Sequence, residues 1–475
     1  MSDSAFEDKK DKRSIGFVTA LAFGIGGMIG GGIFALSGEV ARMVGSGAIL
    51  VFLLAALSAI VSGLVYSEFS TIITSSGGGY SFVQEVFPEI FGFVAGWWFL
   101  LAYTFAGSFY AGIFGKYLEI ITGIHYLFFS IILVISFCLI NYLGAKESGL
   151  SELLLVLIKL SIIFMFILLG FSQVGFNLNW EELLHVAPME VIFLTSATFV
   201  AFQGFDVIAT LGQDLKNPEK NISRAIVYSL ISVTVIYIIV VILECSAIKL
   251  GLVPGDAQSE YIILYVMGNF AGSWGELILI FAAVVSAMSA YNATIYAGSR
   301  IGYTMGENHA LPRIFRLYHQ KFNTPYASII LSGGISLGIL IILTLFLSPE
   351  MITIALGQLS GLAFAFSFAM VNLSLIIHRS LFPNIDRLFK VPFYPILPIY
   401  GVLTAFLFGL ITALENIILF LIFILLSIAG VGYYLFFMKE VRSYHQFINI
   451  LTGDFNRAKE AISLRKILNE IKRKE

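Results

Sequence analysis

The sequence predicts an all-α integral membrane protein of twelve transmembrane helices. They form two inverted five-helix repeats, with discontinuous helices one and six, and two further helices outside them. Three observations predict it. Charged residues make up 12% of the 475-residue chain and hydrophobic residues 58%, whereas soluble proteins carry roughly 25% charge. Residues 1–13 and 439–475 hold 22 of the 58 Asp, Glu, Lys and Arg, leaving 36 for the 425 residues between. A soluble surface cannot be made from so few, so lipid covers that stretch. Secondly, the apolar runs between polar breaks approach or exceed the roughly 20 residues needed to cross a bilayer. Thirdly, two of these runs are interrupted at matching places about 174 residues apart.

In order, the runs are 15–44, 46–73, 90–122, 126–142, 148–172, 188–213, 222–248, 273–304, 326–348, 350–378, 392–413 and 415–438. The first, third and eighth are long enough to be tilted or broken. The shorter, less apolar stretch 257–270 reads as an external helix lying against the bundle. The chain thus divides into an N-terminal tail (1–14), a first repeat (15–172), a second repeat (188–378), an added helix pair (392–438) and a basic tail (439–475). A net charge of −2 excludes a strongly basic nucleic-acid binder. Cys138 and Cys245 sit in apolar runs, which argues against a disulfide framework or a cysteine zinc site.

Residues 1–13 are hydrophilic and lack the apolar core of a signal peptide. With this end inside, the loops near 146, 213–224, 306–324 and 378–390 and the C-terminal tail face the cytoplasm. Then 24 of the 28 Lys and Arg lie on that side. Arg42, Lys116 and Lys249 fall near outer ends, and Lys159 in mid-membrane. This bias sets orientation in membrane proteins. An even span count places both termini in the cytoplasm, with the protein in the cell membrane (plasma or inner). In the tail, Ile462, Leu464, Ile467, Leu468 and Ile471 fit either an amphipathic helix on anionic lipid or a solvated helix that only supports topology.

The first span reads Gly24-Ile25-Gly26-Gly27-Met28-Ile29-Gly30-Gly31-Gly32-Ile33-Phe34. Three consecutive glycines favour unwinding, because glycine loses the most entropy in a helix. Unwound backbone at membrane depth survives only when buried in protein or lining a cavity. The amides of Gly30, Gly31 and Gly32 would then open a second half-helix whose N-terminus attracts an anion such as a carboxylate. The competing reading is close helix packing, since Gly26/Gly30 and Gly27/Gly31 have small-xxx-small spacing.

The sixth span contains Phe199-Val200-Ala201-Phe202-Gln203-Gly204-Phe205-Asp206. An acid at this depth is expensive. Asp206 is either a functional group or a structural one paired to a neighbouring hydroxyl or backbone. Paired breaks in spans one and six are the pointer to inverted repeats with a midplane site. An odd number of spans per repeat inverts the second copy.

Lys159 stands in the middle of the fifth span, with Glu152 two turns away. A lysine here cannot easily snorkel to water. An ammonium that gains and loses a proton in a closed site is a natural coupling device. A permanently charged lysine that braces spans one, five and eight is the alternative.

Several motifs recur in order over residues 14–438. They are Gly27-Met28-Ile29-Gly30-Gly31-Gly32-Ile33-Phe34, Tyr66-Ser67-Glu68, Ser75-Ser76-Gly77-Gly78-Gly79-Tyr80 and Gly204-Phe205-Asp206. Lys216-Asn217-Pro218-Glu219-Lys220, Arg224-Ala225-Ile226, Asn292-Ala293, Ser299-Arg300 and Lys390-Val391-Pro392-Phe393 follow. With these the chain resembles the amino acid–polyamine–organocation (APC) transporter superfamily, nearest its cationic-amino-acid-transporter-like and archaeal proton-coupled branches. The resemblance implies the LeuT-like five-plus-five fold and amino-acid substrates. It implies that a substrate carboxylate meets amides of Gly30, Gly31 and Gly32, and that its amino group meets carbonyls of Met28, Val200 and Gln203. Lys159 matches the lysine that couples protons, beside a span-one carbonyl and a span-eight hydroxyl that match Gly26 and Ser286. Two departures stand out. Gly31 replaces a common Ser or Thr, and Val200 stands where an aromatic often covers the substrate. Phe199 or Phe202 would then serve as the lid.

The function expected is amino-acid uptake by alternating access, coupled to protons through Lys159. The substrate side chain would lie in a pocket from spans three, six, eight and ten. Obligate amino-acid or polyamine exchange is the runner-up, and a non-transporting amino-acid sensor is a third class. Sodium coupling fits less well, because the Lys159 ammonium would occupy the ion's place. Enzyme chemistry is not expected: the six His are scattered, without a zinc motif, and Asp206 has no second acid for a dyad. No cofactor or metal is called for. The expected partners are a small-molecule amino acid, protons and the lipid bilayer, with a membrane-bound oligomer or small accessory subunit left open. The few intramembrane acids available to pair a cationic side chain (Glu68, Asp206, and further candidates in Glu119, Glu152 or Glu276) favour neutral substrates.

Overall fold

The computed structural model describes residues 13–254 and 262–441. Most of the expected terminal tails and the start of the 257–270 stretch lie outside these residues. The first span is two helices, α1 (Phe17–Met28) and α2 (Gly31–Val44). A 3-10 turn at Gly45–Gly47 leads into α3 (Ala48–Ser70). Then come α4 (Gly79–Val86), α5 (Glu89–Thr122), α6 (Tyr126–Leu143) and α7 (Ala145–Gln173). After the short α8 (Trp180–Leu184), the sixth span is again two helices, α9 (Pro188–Phe199) and α10 (Val207–Thr210). The remainder is α11 (Pro218–Lys249), α12 (Ile262–Glu307), α13 (Tyr326–Thr344), α14 (Pro349–Leu381), α15 (Ile396–Glu415) and α16 (Ile417–Val441).

Among the described residues, eleven segments are long and apolar enough to cross a membrane, against twelve read from the sequence. The difference lies at the first span. There α1 has only 12 residues, and α2 runs on into α3 through the 3-10 turn. Within α12, Gly272 takes a non-helical conformation (φ 62°, ψ −159°). It divides the described part of the expected external helix from the long span that follows.

Burial separates centre from rim. In α12, 78% of the apolar window is buried inside the protein, but in α16 only 22%. Elements five spans apart pack on one another: α3 on α11 and α5 on α12, with the two broken spans meeting between them. The outermost helix is tied to α5 by indole donors, Trp97 Nε1 to Leu426 O and Trp98 Nε1 to Ser427 Oγ, both at 3.0 Å.

Ion pairs fasten one end of the bundle. Glu68, fully buried at the end of α3, accepts from Arg379 Nε at 2.8 Å and Nη2 at 2.5 Å. It also accepts from Val391 N at 2.7 Å and pairs with Arg387 at 3.1 Å. A second pair engages Asp214, which follows α10. Its Oδ2 accepts from Arg300 Nε and Nη2, both at 3.1 Å, and from the Tyr296 hydroxyl at 2.5 Å. Its carbonyl accepts from Ile15 N at 2.9 Å, and Lys216 N donates back to Ile15 O at 3.0 Å. The lead-in to α1 is thereby tied to the end of the sixth span.

Removing one partner of a buried ion pair leaves the other uncompensated, at about 3–5 kcal/mol. Glu68→Ala strands two arginines and should lower the thermal unfolding temperature in detergent by many degrees. Substitution of the exposed Glu181 should leave it unchanged.

Candidate substrate and coupling site

The two chain breaks are adjacent. α1 ends because Ile29 leaves the helix (φ −77°, ψ 70°) and Gly30 is extended (φ −97°, ψ −156°). In the sixth span, a 3-10 turn over Val200–Phe202 gives way to extended Gln203 (ψ 145°) and to Gly204 at φ 116°. The breaks meet at Gly27 and Gly204. A Cβ on Gly204 would lie 2.5 Å from Gly27 C, and one on Gly27 3.1 Å from Gly204 O. Glycine at both positions lets the backbones touch. The buried Tyr237 hydroxyl of α11 lies at the same joint, donating to Met28 O at 2.8 Å and Ala201 O at 3.0 Å.

A small cavity opens beside this joint. It is lined from the first, third, sixth, eighth and tenth spans, by residues that include Gly27, Tyr103, Val200, Gln203, Thr294 and Phe364. Gln203 Nε2 is buried there without a hydrogen-bond partner, so it is a donor available to a ligand. Asp206 sits behind the wall. Its Oδ2 accepts from the Tyr103 hydroxyl at 2.5 Å and its Oδ1 from Gly204 N at 3.2 Å. The acid has both a hydroxyl and a backbone partner. α2 begins at Gly31 with Gly30 as its N-cap and no capping side chain, so its first-turn amides retain a helix N-terminus's capacity for an anion.

The carbonyls expected to receive an amino group are partly engaged. Met28 O already accepts from Tyr237 and from Gly30 N (2.8 Å), and Val200 O accepts from Gln203 N (3.2 Å). The two expected lid residues lie away from the cavity. Phe199 packs on Phe408 (5.1 Å between centroids) and Phe368, and Phe202 packs on Tyr237 (5.0 Å). The tight 3-10 turn aims them at neighbouring helices, and the aromatic rings on the cavity are those of Tyr103, Phe109, Tyr110 and Phe364.

Lys159 is fully buried, and its ammonium reaches the break directly. Nζ donates to Gly26 O at 3.0 Å, Ile29 O at 2.7 Å and Ser289 Oγ at 3.0 Å. The hydroxyl it meets is one turn beyond Ser286, whose Oγ has no partner. Ser289 in turn donates to Glu152 Oε1, and Asn292 Nδ2 donates to Oε2 at 2.7 Å. Asn292 Oδ1 accepts from Asn141 Nδ2 at 2.9 Å and Ser148 Oγ at 3.0 Å. Ser289, Tyr237 and Tyr103 were not singled out from the sequence, and Asn292 only within the Asn292-Ala293 motif. A signal for two of them existed: Ser289 and Asn292 are three apart on one helix face, opposite Ser148 and Glu152, four apart on another.

The amino acid permease family profile matches residues 15–452. The chain is 27% identical over 460 residues to the branched-chain amino acid permease BcaP of Bacillus subtilis (strain 168), covering 91% of this chain and 95% of the relative. It is 27% identical over 432 residues to the methylthioribose transporter of the same organism, covering 85% and 90%. Over 445 residues it is 27% identical to that organism's serine/threonine exchanger SteT, covering 90% and 97%.

Gly204→Ala puts a side chain into the Gly27 backbone at a φ that disfavours it. It should lower the melting temperature and reduce the yield of monodisperse protein. Gly338→Ala, where a Cβ meets nothing within 4 Å, should be neutral or slightly stabilising, by about 0.4–1 kcal/mol.

Proposed function

The chain belongs to the amino acid permease family, within the amino acid–polyamine–organocation superfamily of membrane transporters rather than enzymes, and from that premise we propose that it takes up an amino acid by alternating access, driven by protons through Lys159. The observation that carries the coupling is the Lys159 ammonium on the carbonyls of Gly26 and Ile29. Loss of its proton removes a cationic donor from the unwound end of α1 and frees that segment to rearrange. Counting α1–α2 as one crossing gives twelve spans. Packing of elements five spans apart supports the inverted repeats, and the lysine and arginine bias supports cytoplasmic termini in the cell membrane.

In this reading the substrate carboxylate lies at the start of α2, and Gln203 Nε2 is a further donor. The side chain enters the cavity between Tyr103, Val200 and Phe364. Asp206 already takes Tyr103 and Gly204 N, which favours a neutral side chain over a cationic one. Net uptake requires that substrate and proton bind the outward and inward states with different free energies. Obligate exchange is the second reading, favoured by the similarity to a serine/threonine exchanger.

A thermal-shift screen of the twenty amino acids, simple polyamines and methylthioribose identifies the ligand class. A ligand at 100 times its Kd stabilises the folded state by about 2.7 kcal/mol. Neutral amino acids are expected to give the largest shifts. In proteoliposomes, wild-type protein should accumulate such a ligand under an inward proton gradient, and Lys159→Ala should not. Accumulation unchanged in Lys159→Ala rules out coupling through this lysine. Counterflow without accumulation in wild type decides for exchange.

A further inference from the structure

Glu152 is the buried carboxyl that the coupling scheme does not yet use. It lies on α7 seven residues before Lys159, hence on the same helix face. Ser289 stands between them as a directional bridge: the ammonium donates to its oxygen, and its own proton is donated to Glu152 Oε1. Gly26 completes the fit, since a Cβ there would collide with Glu152 Oε1 and lie 2.6 Å from Ser289 Oγ. The carboxylate therefore rests against the same turn of α1 whose carbonyl Lys159 holds. Glu152 Oε2 is occupied by Asn292 Nδ2 at 2.7 Å, which leaves Oε1 as the oxygen that takes a proton.

We propose that Glu152 is a second proton-carrying group of the transport cycle, receiving the proton of Lys159 through Ser289; this rests on the coupling role of Lys159. In the step, the ammonium passes a proton to Ser289 Oγ while the Ser289 hydroxyl proton moves to Glu152 Oε1. An ammonium and a carboxylate become an amine and a carboxylic acid, with no change in total charge. The proton is thereby moved off the α1 break and toward the α6–α7 end, which is cytoplasmic in the proposed orientation. Release of that proton from the acid to water on that side completes its passage.

The charges around the pair are few. α1 carries no titratable residue. α6 presents Asn141 here and carries Tyr126, Cys138 and Tyr142 as its titratable groups. On α12, Tyr296 and Arg300 are held by Asp214, and Tyr291 packs on Phe137. α11 contributes Tyr237, bonded at the break, and Glu244, bonded to Ser37. A proton leaving Lys159 along a hydrogen bond thus has one carboxylate to reach.

The test uses full-length protein in proteoliposomes with radiolabelled L-isoleucine, L-serine and L-arginine, each offered alone. For whichever the wild type accumulates under a proton gradient, Glu152→Gln should cut accumulation at least tenfold. It should also abolish the dependence of counterflow on internal pH. Glu152→Asp should restore that dependence in part. Ser289→Ala, which removes the bridge and leaves both ionisable groups, should give the same loss and serves as the deciding variant if Glu152→Gln does not fold. Wild-type accumulation and pH profile retained in Glu152→Gln or Ser289→Ala overturns the proposal while leaving Lys159 coupling intact. Failure of wild type itself to accumulate any probe, with counterflow present, overturns the coupling reading and this one with it.

Discussion

A buried ammonium holds open backbone in place, and the centre of the structure depends on it. In hydrocarbon an unpaired carbonyl costs several kcal/mol, and the end of α1 exposes a full turn of them. Lys159 takes two, at Gly26 and Ile29, and Tyr237 takes the next, at Met28. Because Tyr237 also donates to Ala201, the same set of donors fixes the sixth-span break against the first. The glycine run already disfavours helix, and these partners supply the hydrogen bonds that its unwound backbone needs. With them, the carbonyls of Gly26, Met28 and Ile29 keep hydrogen-bond partners in the unwound state.

The joint has a second fixed point. Asp214 follows the sixth span, gathers Arg300 and Tyr296 from α12, and binds the lead-in to α1 through Ile15. The two broken spans are therefore tied together at one end through Asp214 and in the middle by Tyr237, while Lys159 holds the first. Between those points the two backbones meet at Gly27 and Gly204, which have no side chains to interlock, and α1 also packs on α10 where Gly24 faces Ile208. At the glycine pair itself no side chain stands in the way of a tilt of one backbone against the other. Well-packed helices elsewhere in the bundle lack that freedom.

Much of this was legible in the sequence because the bilayer makes simple demands. Charge scarcity and apolar length located the spans, a run of glycines located the first break, and glycine beside Gln203 and Asp206 located the second. Lys159 stood out because nothing ordinary accounts for a lysine at mid-span. Its partners were less legible. Which hydroxyl meets an ammonium depends on the rotation of α12 about its axis, and Ser286 and Ser289 differ by one turn. Glu152 was visible at seven residues' remove, but the hydroxyl that joins it to Lys159 comes from another helix. Phe199 and Phe202 looked equally suited to cover a ligand, and only the 3-10 geometry at Val200 decides that both face away. Side-chain direction in irregular backbone is set by tertiary contacts, and spacing carries no record of it.

Two polar systems converge on the glycine joint from opposite sides. On one, Tyr103 and Asp206 back the cavity wall and hold Gly204 N. On the other, Lys159 and Glu152 press on Gly26 and its neighbours through Ser289. In the proposed cycle, a ligand in the cavity and a proton on the lysine would therefore act on neighbouring residues of one backbone contact. Linkage requires that each change the other's affinity by the same factor, and a shared movable element is the physical means. In the proposed cycle the strength of coupling would be set at this contact and not by the affinity of either site alone.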